Sequence, residues 1–171
     1  MSTNYQERYA VHPDDYPNYT MARLRENFHV GGLFIADEIN LVDTQIDRFI
    51  VGGACPVSKT LDLDTVNPLK AEHFLDRREL GAINVGGAGR ITVDSTVYDL
   101  AYKEALYIGA ETKEVTFESV DSANPAKFYL NSATAHHAYP TKKVGLDDAE
   151  KLELGALETS NHRVINKLLV S

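Results

Sequence analysis

Three groups of side chains in this sequence are of a type and spacing that could do chemistry. They are Arg77-Arg78-Glu79, His136-His137, and the loop carrying Tyr139, Lys142 and Lys143. The first is the densest charge cluster beside an expected strand. On an extended chain Arg77 and Glu79 point one way and Arg78 the other. One arginine can then face the inside of a sheet sandwich, where a guanidinium forks onto a carboxylate. That chemistry would be recognition of a sugar acid's carboxylate. The structural alternative is an ion pair at a sheet edge or at a subunit contact.

The histidines offer less. Neighbouring histidines on an extended chain point apart, so His136-His137 does not readily chelate one metal. Zinc sites favour His-x-His or wider spacings with a carboxylate nearby. His73 has Leu75 where a histidine partner would stand, and His12, His29 and His162 are scattered. No metal ligand and no catalytic residue is therefore nominated.

Tyr139, Lys142 and Lys143 can meet either an anionic ligand or plain solvent. Asp62, Asp64, Asp147 and Asp148 read as surface charges, without the spacing of a catalytic carboxylate pair. A Ser-His-Asp or Cys-His set cannot be read from spacing, because its members meet only in three dimensions. Gly86-Gly87-Ala88-Gly89 lacks the G-x-G-x-x-G spacing and runs into strand-like Ile91-Thr92-Val93. Nucleotide binding is rejected there in favour of a hairpin turn at positive φ.

The elements that must position these groups are short and mostly extended. The first twenty residues are rich in Tyr, Pro, Asp and Asn and read as a surface arm. Thr20 then caps a short helix through Met21, Leu24 and Phe28. Apolar runs at 33–35, 46–51, 57–63, 81–85, 91–93, 97–100, 105–108, 115–120 and 126–131 follow, separated by turns. Val57, Lys59, Leu61 and Leu63 alternate with polar residues, as do Val115 to Glu118. Residues 89–94 and 97–100 read as a hairpin around Ser95-Thr96. Asn67-Pro68 to Phe74 reads as an inserted helical turn.

Many short strands with little helix indicate an all-β, mainly antiparallel sandwich or barrel. The expected division is an arm and helix over 1–30, a sandwich over 31–138 and an extended segment over 139–171. That segment closes on the apolar residues Leu168-Leu169-Val170, a surface expected to be covered by another domain or subunit.

Composition narrows the partners. Seventeen basic residues against 25 acidic ones give a formal charge of −8, which repels nucleic acid and anionic membranes. A few local arginines still outweigh that field at short range. Cys55 is the only cysteine, so an intrachain disulfide and a cysteine zinc site are both excluded. It reads as a small buried hydrophobe. The first fifteen residues have no apolar core of a signal peptide, and no run is long enough to span a membrane. The cytoplasm is the expected compartment.

Several motifs in order carry a family resemblance. They include Ile46-Asp47-Arg48 with Val51-Gly52-Gly53, and the run from Phe74-Leu75-Asp76-Arg77-Arg78-Glu79-Leu80-Gly81 onward to Gly89. Asn124-Pro125-Ala126-Lys127-Phe128-Tyr129, Ala135-His136 and Tyr139-Pro140-Thr141-Lys142-Lys143-Val144 continue it. With these the chain resembles the amino-terminal part of the 5-keto-4-deoxyuronate isomerases.

The resemblance implies a cupin-like β-sandwich or jelly roll with one or two short helices, assembled into oligomers. It also implies an aldose–ketose isomerisation of a uronate in pectin breakdown, with zinc held by a second domain. That family's His-x-His, Glu and His ligands have no matching positions here, so no zinc is expected in this chain and the chain alone is expected to be inactive. The uronate-binding candidates are then Arg77, Arg78, Glu79, His136, Tyr139 and Lys142. The expected partners are the uronate and either further copies or the second domain. The competing reading is a metal-free sugar-acid-binding or assembly module.

Overall fold

Side chains two apart along the central strands share one face, and here that face is apolar on two separate sheets. The computed structural model describes residues 3–169. In chain order the strands are β1 (Thr3–Arg8), β2 (Ile39–Thr44), β3 (Ile50–Ala54), β4 (Leu61–Asp62), β5 (Arg78–Asn84) and β6 (Gly89–Val93). They continue with β7 (Thr96–Leu100), β8 (Ala105–Ile108), β9 (Val115–Ser119), β10 (Phe128–Thr134), β11 (Lys142–Val144), β12 (Glu150–Leu154) and β13 (Arg163–Lys167).

One sheet has the order β1-β2-β3-β10-β5-β8-β11, and the other has β4-β9-β6-β7. Except for the parallel pair β1–β2, neighbours run antiparallel. Between the sheets lie Ile39, Leu41, Ile50, Leu80, Leu106 and Leu130 from the large sheet, facing Leu61, Ile91, Leu100 and Phe117 from the small one. Phe117 and Phe128 meet across the middle at 5.3 Å between ring centroids. This is the expected cupin-like sandwich, with one α-helix, α1 (Met21–Phe28), capped by the Thr20 hydroxyl on the Arg23 N–H.

Several elements depart from the sequence reading. The amino-terminal arm contains β1, which pairs with β2 along its whole length. Residues 33–35 are not a strand. Of the run 57–63, strand structure covers Leu61–Asp62, because the Asp37 carboxylate takes the N–H groups of Val57 and Ser58, each at 2.8 Å. The β6–β7 loop is Asp94-Ser95, one residue earlier than read, since Val93 faces Thr96. Asp94 adopts φ 51°, and its carboxylate accepts from the N–H groups of Lys113 and Glu114. The carboxyl-terminal stretch holds β11 and the β12–β13 ribbon, while Val170 and Ser171 lie outside the described residues.

The glycine run is a correction of kind. It joins β5 to β6, which belong to different sheets, so it is a crossover and not a hairpin turn. None of its glycines has positive φ. They are required by close approach. A Cβ on Gly87 would strike the Asn124 carbonyl, and one on Gly89 would lie 2.5 Å from the Ala126 methyl and 2.6 Å from Phe128.

Candidate functional site

The inward face of the large sheet is apolar at its centre and turns polar at one end. Strand register makes this happen. Asp43 on β2 and Ser132 on β10 both lie opposite Ile50 on β3. Ser132 in turn faces Leu80 on β5, and Thr134 faces Arg78. Three strands thus carry their inward alternation past the last aliphatic side chain and end on Asp43, Ser132 with Thr134, and Arg78. A cleft of about 510 Å³ opens there, with Glu7, Arg48, Arg77 and His136 also on its wall.

Arg78 is 5% exposed, and its guanidinium is held from two sides. Nε donates to Ser132 Oγ at 3.1 Å, and Nη2 donates to the carbonyls of Ser132 (2.9 Å) and Arg48 (2.6 Å). Ser132 Oγ donates in turn to the Glu79 carbonyl at 2.6 Å. The Arg48 carbonyl is aimed by a tight β2–β3 turn in which Asp47 (φ 52°) and Arg48 (φ 53°) are both left-handed, as in the primed hairpin turns. Nη1 has no protein acceptor among the described residues.

Asp43 is 6% exposed and takes no hydrogen bond or ion pair among the described residues. Burial raises its pKa above the usual carboxylate value, and Glu7 adds to the rise while Arg78 opposes it. Arg78 is pulled below its ordinary value by burial, with Asp43 opposing. It stays charged, since a guanidinium titrates far above neutrality. Three arginines against two carboxylates leave this cleft positive in a protein of charge −8.

The six sequence candidates divide between two places. Arg78 points inward and Glu79 outward, as alternation requires. Arg77 precedes the strand and lies on the cleft wall, its Nη2 bound to the carbonyls of Leu69 (2.9 Å) and Lys70 (3.2 Å). Those carbonyls end the short 3-10 turn Asn67–Leu69, which covers only the start of the helical turn expected from Asn67 to Phe74. β5 lies between β10 and β8, so the cluster is not at a sheet edge. His136 joins Arg77 and Arg78 at the cleft.

Glu79, Tyr139 and Lys142 line a separate groove of about 1040 Å³ on the outer face of the large sheet, roofed by 167–169. There the Tyr107 hydroxyl donates to Glu79 at 2.7 Å, and burial with that bond pushes the phenol up to about 12. Lys143 is paired with Glu104 at 2.7 Å. His137 stands edge-on to Tyr139 at 6.4 Å, so the two neighbouring histidines serve different surroundings.

Sequence reasoning missed Asp43, Arg48 and Ser132. Asp43 and Ser132 each sit two residues beyond a buried aliphatic, Leu41 and Leu130, which is the signal that could have found them. Among the described residues no three of His, Cys, Asp or Glu come together to hold a metal ion. Cys55 is buried with its thiol pKa raised by burial, as a small hydrophobe would be. No helix among the described residues is long and apolar enough to cross a membrane.

Comparison with known proteins places this architecture. The KduI/IolB family pattern matches residues 40–171. This chain belongs to the KduI/IolB family. Curated KduI/IolB relatives include a 4-deoxy-L-threo-5-hexosulose-uronate ketol-isomerase of Formosa agariphila, 54% identical over 99% of this chain and 61% of its own length. A Bacteroides fragilis protein of the same name is 53% identical over 100% of the chain and 61% of its length. The chain thus spans about three fifths of the curated relatives it matches. A solved IolB-like protein of Salmonella typhimurium superposes with a TM-score of 0.52 at 14% identity, covering 71% of this chain and 43% of that one. That likeness concerns the fold alone.

Proposed function

We propose that this chain is the amino-terminal part of a 4-deoxy-L-threo-5-hexosulose-uronate ketol-isomerase of uronate breakdown, and that these 171 residues alone do not turn over. One observation carries the reading: relatives of that name match 99–100% of the chain at 53–54% identity. A ketol isomerisation moves one hydrogen between neighbouring carbons, so that an aldehyde becomes an alcohol as the adjacent alcohol becomes a ketone. It needs a base within reach of the carbon-bound proton and a group to steady the enediolate. In this reading the reacting groups, zinc included, belong to sequence beyond this part. The sandwich contributes a scaffold onto which that remainder docks, in the cytoplasm and as part of an oligomer.

Two assays test this. The purified 171-residue chain, with and without added zinc, is expected to leave 5-keto-4-deoxyuronate unchanged. Zinc-dependent turnover would overturn the division of labour. A chimera carrying this chain in place of the matching part of the Formosa agariphila enzyme is expected to be active. A folded but inactive chimera would overturn the assignment to that enzyme.

A further inference from the structure

A carboxylate that takes no hydrogen bond from the protein must be held by water or by a ligand, because an unpaired charge away from both is costly. Asp43 is one: the residue is only 6% exposed, and its carboxylate oxygens are satisfied by the solvent of the cleft it lines. It shares a cleft with Arg78, whose Nη1 has no acceptor among the described residues while Nε and Nη2 are locked. Both residues line the same cleft, so a donor without a protein acceptor and an acceptor without a protein donor share one solvent-filled space. Asp43 and Arg78 are not within ion-pair distance of each other, yet each influences the other's charge. A ligand with an anionic end and a hydroxyl a few ångströms away would satisfy both.

We propose that the inner cleft is a binding site for a small polyhydroxylated carboxylic acid. Its carboxylate takes Arg78 Nη1, and one of its hydroxyls donates to Asp43. Arg48 and His136, which line the same cleft, supply further donors, and the cleft volume of about 510 Å³ is within the range of small-molecule sites. A carboxylate alone would leave Asp43 unsatisfied and facing a second negative charge. A neutral sugar would leave Arg78 unsatisfied. The pair therefore selects molecules carrying both groups. This site is separate from the outer groove, and the inference does not rest on the isomerase reading.

The test is a titration of the folded 171-residue chain with D-galacturonate, followed by calorimetry and by amide and arginine side-chain NMR. The expected result is saturable binding with shifts at Arg78, Ser132 and Asp43. D-galactose and acetate, each lacking one half of the recognition, are expected to bind at least about tenfold more weakly. Asp43→Asn, which keeps the shape, and Arg48→Asn, which keeps the carbonyl under Arg78 and tolerates left-handed φ, are both expected to weaken galacturonate about tenfold. Glu79→Gln and Lys142→Ala, in the outer groove, are expected to leave it unchanged. Absence of saturable binding to the folded wild-type chain would overturn the proposal. So would binding whose shifts map to the outer groove, or equal binding of acetate. None of these outcomes depends on turnover, so failure here and failure of the chimera are separate results.

Discussion

Asp43 lies in the row of Leu41 and Ile39, where an aliphatic would pack, and its cost is visible as a pH dependence. Its folded-state pKa is raised, by burial first and by Glu7 second. Below the unfolded carboxylate pKa both states are protonated and the residue costs nothing. As pH climbs from there through the raised folded value, the unfolded chain ionises first, and stability is lost until both states are charged. Asp43→Asn removes the charge at nearly constant volume. Urea melts from acid to neutral pH are expected to show the variant matching wild type at the acid end. It should gain over wild type as pH rises, then hold a constant advantage. A flat difference across that range would mean that Arg78 already compensates the charge in full. Asp37 has the opposite sign. Three donors from Ser58 and Val57 hold it down at about 2, so its contribution is present above the ordinary carboxylate pKa and is lost as pH falls from there to about 2.

At the scale of elements, the crossover between sheets is the tightest joint. Gly87 has ordinary φ, so an alanine there suffers no backbone strain of the left-handed kind. Its methyl would nevertheless drive into the Asn124 carbonyl and lie 2.9 Å from the Asn124 side chain. Backbone cannot step aside as a flexible side chain can. Gly87→Ala is expected to cost about 1 to 3 kcal/mol, read as a lower urea midpoint at unchanged slope. The same joint shows what a single sequence conceals, since positive φ and close approach both demand glycine and leave the same letter.

Strands β6 to β9 were legible because their inward residues are apolar and turn residues bound them. β2 was not, because Asn40 and Asp43 break its apolar run and their burial is decided by distant neighbours. The inward direction of Arg78 and the outward one of Glu79 follow from alternation alone. That Arg77 would be tied to the Asn67–Leu69 turn, and that Tyr139 and Lys142 would line a different groove, are facts of tertiary packing with no local signal.

For the whole molecule, order is spread unevenly. β5 is paired on both sides, by β10 and β8, and its inward residues are buried in the core. β12 and β13 pair with each other alone among the described strands. Leu152, Val164 and Ile165 stand exposed on that ribbon, and Leu157 at its connection is 79% exposed. The Lys167–Glu150 ion pair at its open end is solvated and adds little. A two-stranded ribbon is marginal by itself, so its opening free energy should lie near the bottom of the range and that of β5 near the global value. Native-state hydrogen exchange on the 171-residue chain is expected to show β12–β13 amides exchanging orders of magnitude faster than those of β5 and β10. Equal protection would mean that the ribbon is covered in solution. Dilution then separates the two ways this can arise, because cover by a second copy weakens as concentration falls and packing within one chain does not.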